Sequence, residues 1–182
     1  MAMVDHTAPM ALAVEYFSTG AEISPCGKYR YRLWRAWNIA KNPPLTVLML
    51  NPSTADGSTD DPTIRKVVGF ADRMGYGGIE VINLFALRTS SPSKLFAELR
   101  EHGMSYASGP TNDAAIQECV LRSRKIWLAY GVLPTRAISR ESVVLRLVEG
   151  VPAFTLGRNK YGTPKHPLYL PYSASQTQWT AS

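Results

Sequence analysis

The stretch Leu45-Thr46-Val47-Leu48-Met49-Leu50-Asn51-Pro52-Ser53-Thr54-Ala55-Asp56 decides the fold. An uncharged, apolar run ends abruptly in a polar turn. A strand covered on both faces reads this way, because neither face needs a polar side chain. Proline fixes the backbone at the exit, and the residue before it leans to extended geometry. Just beyond, Asp60-Asp61-Pro62-Thr63 supplies an aspartate N-cap with proline at the first helical position. The pattern predicts a helix to about Met74, stopped by Gly75, Gly77 and Gly78.

The same alternation continues outward. Ile79–Phe85 reads as a second buried strand, Lys125–Ala129 as a third and Pro152–Leu156 as a fourth. Helices are expected from Pro92 to about His102, from Gly109–Asp113 to about Arg122, and over Pro134–Glu149. Strands alternating with helices imply crossovers and a parallel sheet. Upstream, Tyr29-Arg30-Tyr31-Arg32-Leu33 alternates with period two, a half-buried strand with Arg30 and Arg32 on the open face. It is expected to join as an antiparallel N-terminal edge strand or a hairpin. The fold class is therefore α/β: a three-layer α/β/α arrangement around a central, mainly parallel four-stranded sheet. Residues 1–14 read as a flexible tail, and 15–182 as a single α/β domain.

Composition bounds the function classes. The chain has 182 residues, 45% hydrophobic and 19% charged, which excludes global disorder. It has no apolar run near the roughly 20 residues of a membrane span, so no membrane partner is expected. Ala8–Val14 has neither a basic leader nor a cleavage pattern, and no signal peptide is read there. Cys26 and Cys119 form no close pair, so a reducing cytoplasm is the expected setting, with no metal cluster and no cofactor. Net charge is +6, which suits a nucleic-acid or nucleotide partner. Composition leaves the oligomeric state open. Walker, Rossmann, HExxH and GxSxG motifs are all missing.

In open α/β sheets, ligands bind beyond the carboxyl ends of the strands. Asn51, Asn83, Tyr130 and the segment before His166 all follow predicted strand ends. Asn51 can hold water or a base edge, since an amide both donates and accepts. Pro52 and Ser53 shape the same turn. Asp56 could orient water or hold a metal with oxygen donors, whereas Asp60 and Asp61 read as helix caps. Asn83 could match the paired donor and acceptor of a nucleobase, and Arg88 could clamp a phosphate or carboxylate. His166-Pro167 in a stiff loop could act as acid or electrophile. Arg158, Lys160 and Lys165, with Tyr161 among them, fit a nucleic-acid backbone and a stacked base.

Several of these motifs together resemble a bacterial and phage family, DUF1643. They are Tyr29–Trp34, Leu50–Asp56, Asp61-Pro62-Thr63-Ile64, Val81–Phe85, Gly109–Asp113 and His166-Pro167-Leu168-Tyr169-Leu170. The likeness spans about residues 22–172. More distantly, the order of elements resembles the uracil-DNA glycosylase superfamily. Asn51-Pro52 is similar to its first motif, with Met49 in place of the glycine. Asn83 falls at its base-reading position, Tyr130-Gly131 at the step after its third strand, and His166-Pro167 at its last motif.

That resemblance implies an enzyme hydrolysing an N-glycosidic bond of a nucleobase in DNA or a nucleotide. It implies that Asn51 positions water, His166 stabilises the departing base and Asn83 reads it. Asp56 is added as a catalytic candidate from the turn alone. Two alternatives stay open: a non-catalytic nucleic-acid or nucleotide-binding module, and a metal-dependent hydrolase using the aspartates with His166.

Overall fold

A computed structural model describes residues 15–40, 42–53 and 55–180. The expected tail and Thr54 lie outside the described residues. The opening stretch forms strand β3, Pro44–Met49, after two earlier strands, β1 (Ser18–Ile23) and β2 (Arg30–Ala36). Leu45, Val47 and Met49 pack on one side of β3, and Leu48 and Leu50 on the other. All five are buried, as successive strand residues facing opposite covered faces must be. Thr46 is the polar exception, and its hydroxyl bonds Ser123 Oγ at 2.6 Å.

Helix α1 (Pro62–Arg73) follows, capped by Asp61 Oδ1 accepting from Ile64 N at 2.8 Å. Its apolar residues Ile64, Val67 and Phe70 cover one face of the sheet together with Leu45 and Val47. Strand β4 (Gly78–Asn83) returns parallel to β3. Three helices then precede the next strand: α2 (Pro92–His102), α3 (Met104–Ser108) and α4 (Asn112–Arg122). Strand β5 (Ile126–Leu128), helix α5 (Ile138–Leu147), strand β6 (Ala153–Thr155) and strand β7 (Thr177–Gln178) complete the order. Leu95 and Leu99 of α2, Ile116 and Cys119 of α4 and Val144 of α5 cover the second face.

The sheet is mixed and seven-stranded, in the order β1-β2-β4-β3-β5-β6-β7. This corrects the expected four-stranded sheet. The inner strands β4, β3, β5 and β6 run parallel, while β1, β2 and β7 pair antiparallel at the two edges. The edges escape the sequence for physical reasons. Ser-Thr-Gly-Ala-Glu-Ile of β1 has no buried face to pattern, and β7 is two exposed residues long.

The half-buried reading of the second strand is also overturned. Arg30 is 2% exposed and Arg35 is fully buried. Loop 55–60 covers them: Arg35 donates to the carbonyls of Asp56, Gly57 and Thr59, and Arg30 to that of Ala55.

No described helix is long and apolar enough to cross a membrane. Among the described residues no group of three or more His, Cys, Asp or Glu could hold a metal ion. Cys26, exposed, and Cys119, buried, are both free thiols.

Candidate functional site at the strand switch point

From β3 the chain passes to β4 on one side, while β5 pairs on the other. The exits of β3 and β5 therefore diverge, and such a switch point opens a crevice. A cavity of about 670 Å³ lies there. Met49, Leu50, Ile64, Phe96, Leu133 and Leu168 supply apolar wall. The polar residues lining it include Arg30, Asn51, Ser53, Asp61, Asn83 and His166. A mostly apolar cavity with a few placed polar groups is the usual form of a small-molecule site.

Asn83 ends β4 and is fully buried. Its backbone is locked from outside: Asn112 Nδ2 donates to the Asn83 carbonyl at 3.1 Å, and Arg140 Nε to the next carbonyl, of Leu84, at 2.6 Å. Its side chain has no such bond. Neither Nδ2 nor Oδ1 finds a partner among the described residues. Buried amides are nearly always satisfied, so this donor and acceptor call for a partner from inside the cavity.

Asn51 leaves β3 with its amide nitrogen committed. Nδ2 donates to Pro52 O and to Thr89 Oγ1, both at 2.9 Å. Those acceptors fix the amide's orientation and leave Oδ1, which takes no bond among the described residues, as its available acceptor. Ser53 donates to Asp61 Oδ2, so both Asp61 oxygens are engaged, one by the turn and one by the first turn of α1.

His166 opens a short 3-10 turn, Pro167–Tyr169, and its Nδ1 accepts from Leu168 N at 3.3 Å. That bond needs Nδ1 bare, so the ring proton sits on Nε2. Burial pushes the His166 pKa below its ordinary value, against the opposing pull of Asp61. The ring is thus neutral at pH 7 and a hydrogen-bond donor at Nε2. Gly131 lets the ring approach: its φ is 79°, and an added Cβ would sit 3.3 Å from His166 Cβ. Thr163 Oγ1 donates to Gly131 O at 2.7 Å and ties the histidine loop to the end of β5.

Of the residues singled out from sequence, Asn51, Ser53, Asn83, Tyr130 and His166 line this one cavity. Tyr130 brings its buried ring, while its hydroxyl donates to Glu141 at 2.5 Å. Burial and that carboxylate raise its pKa well beyond the ordinary tyrosine value.

The others lie elsewhere. Pro52 is buried in the turn and offers its carbonyl to Asn51 and to Thr89 N, while Pro167 is buried in the 3-10 turn. Asp56 lies outside the cavity lining, its Oδ1 accepting from Ser58 N and Thr59 N, both at 2.9 Å, which braces a turn. Those bonds hold its carboxyl below the usual range. Asp60 pairs with Arg35 at 2.7 Å and accepts from Tyr16 at 2.6 Å. The acidic cluster is thereby split into three separate structural jobs. Arg88 holds Gly27 O at 3.1 Å and does not line the cavity. Arg158 is spent on Gly162 O and Thr180 O and lies over the Trp179 ring, whereas Lys160 and Lys165 are exposed.

Sequence reasoning missed Arg30, whose alternation with tyrosines disguised it as a surface residue. It also left out Thr89-Ser90-Ser91, which lines the cavity. The rule that placed Asn83 would have placed that loop as well, since it follows the same strand.

No curated protein and no solved structure matches the chain. A family model described as "Protein of unknown function (DUF1643)" matches residues 30–168, from Arg30 on one cavity wall to Leu168 on another. The chain therefore belongs to the DUF1643 family.

Proposed function

We propose that the cavity binds a nucleobase and that the protein hydrolyses the N-glycosidic bond joining it to a sugar. The observation that carries this reading is the Asn83 amide, buried with donor and acceptor both unpartnered. Side by side, such a pair matches the edge of a base. The apolar walls suit its faces. The resemblance to the uracil-DNA glycosylase superfamily, in fold and in chemistry, belongs to this proposal and rests on Asn51-Pro52, Asn83 and His166-Pro167.

In the reaction, water attacks the sugar C1′ and the C1′–N bond breaks, its electron pair passing to the base nitrogen. The proton lost by water balances the one gained by the base. The products are a free base and a sugar bearing a C1′ hydroxyl. Asn51 Oδ1 accepts a hydrogen bond from the attacking water and aims it. The His166 Nε2–H donates to the negative charge gathering on the departing base, the role of a preorganised donor.

Base release is the assay, from duplexes and single strands carrying uracil or oxidised, alkylated or hypermodified bases, and from free nucleotides. Asn51→Ala and His166→Ala should each lose about 100-fold or more of the rate with circular dichroism unchanged. No release from any substrate would sink the hydrolytic reading. Binding without release would favour a non-catalytic module on the same cavity.

A further inference from the structure

Three arginines are buried among the described residues: Arg30 at 2% exposure, Arg35 at 0% and Arg140 at 4%. Two of them have carboxylate partners. Arg35 meets Asp60 at 2.7 Å and also donates to five backbone carbonyls, and Arg140 meets Asp113 at 2.6 Å. Among the described residues the Arg30 side chain has a single bond, from Nη1 to Ala55 O at 2.6 Å. Its Nε is buried without a partner, and no carboxylate pairs with it among the described residues. Asp61 and Asp56 lie near enough to favour its charge, Arg88 and Arg35 near enough to oppose it, and among the described residues neither carboxylate forms an ion pair with it.

A buried charge without a directly paired counter-charge is expensive, and proteins seldom leave one so. Guanidinium cannot escape by losing its proton at neutral pH. Burial pushes the Arg30 pKa down only to about 10. Arg30 lines the cavity, so a ligand can reach it. The N-termini of α1 and α2 open on the same space, through Thr63 and through Ser90-Ser91. The α1 N-terminus already holds the Asp61 carboxylate, so the N-terminus of α2, with the Ser90 and Ser91 hydroxyls beside it, is the one that offers itself to a ligand's negative charge.

We infer that Arg30 is the counter-charge for a phosphate, so that the ligand is a nucleoside monophosphate rather than a base within an unbroken strand. This rests on the nucleobase reading above. Arg30 is 2% exposed and is reached through the cavity, a route that suits a terminal phosphate entering with its nucleoside better than an internal phosphodiester, which carries chain on both sides. A cavity of about 670 Å³ has the size of small-molecule sites.

Calorimetry on the full chain tests this with four nucleosides, their 5′-monophosphates, ribose 5-phosphate, inorganic phosphate and a short single-stranded oligonucleotide without terminal phosphates. At least one monophosphate should bind roughly tenfold or more tighter than its nucleoside. Arg30→Met should erase that difference and leave the nucleoside affinity, and Arg30→Lys should restore part of it. Should Arg30→Met not fold, the wild-type comparison decides alone: equal affinity for nucleoside and monophosphate overturns the inference. An oligonucleotide that binds more tightly than every monophosphate overturns it too. Ribose 5-phosphate binding as tightly as the nucleotide, with nucleosides inert, would keep the phosphate site and sink the nucleobase reading. Silence from all the phosphate compounds, inorganic phosphate included, overturns the phosphate site.

Discussion

Asn83 is the residue where stability and function pull in opposite directions. Its unpartnered amide costs the folded protein about 1–3 kcal/mol. Asn83→Leu, with the same branching and an apolar end that has the cavity to extend into, should leave thermal stability unchanged or raise it by about 1–2 kcal/mol, while ligand binding disappears. A clear drop in melting temperature would mean that the amide has a partner within the protein. Arg35 predicts the reverse. Arg35→Met strands Asp60 and frees the carbonyls of loop 56–60, so it should cost about 3–5 kcal/mol in denaturant unfolding.

His166 adds a pH dependence whose sign is fixed by its lowered pKa. In the unfolded chain the ring takes a proton near the ordinary value of 6.5. The folded ring resists it until lower pH, so acidification favours the unfolded chain and stability falls from about pH 7 downward. Above that pH the ring contributes no slope. His166→Gln should flatten this part of the profile, as melting curves of both proteins between about pH 7 and pH 5 would reveal. Asn51, Asn83 and His166 were legible because each ends or follows a buried strand or its loop. Arg30 was not, because period-two alternation assigns faces without saying what covers them.

At the scale of elements, the exit of β5 sets the histidine's position. Gly131→Ala puts a side chain in the left-handed region and crowds His166 Cβ. A loss of about 1–2 kcal/mol is expected from the backbone alone, together with weakened ligand binding. A variant with native affinity would show that the loop absorbs the shift. The N-cap of α1 was readable from Asp61-Pro62 because capping is local chemistry. The inner strands were readable because burial on both faces strips them of polar residues. Strands β1 and β7 were not, since pairing at an edge is decided by backbone hydrogen bonds to distant strands. Helix α3 is five residues between two glycines, too short for any periodicity.

Across the whole molecule, the cavity draws on segments far apart in sequence: 49–53, 89–92, 130–134 and 166–169 all reach it. A bound ligand should therefore slow amide hydrogen exchange in all four together. Slowing in one alone would place the ligand elsewhere. The net charge of +6 overstates the surface available to a polyanion, because Arg30, Arg35 and Arg140 are counted in it yet buried.

The strand order carries a practical corollary. β3 is the middle strand, with three strands on either side. Successive strands lie about 4.8 Å apart, so β1 and β7 are each roughly 14 Å from it. The crevice reaches the strand next to β1, because Arg30 of β2 lines it, whereas no residue of β7 does, so an affinity tag or a surface anchor stands clearer of it beside β7. Protein immobilised beside β7 should capture small ligands at least as well as protein immobilised beside β1.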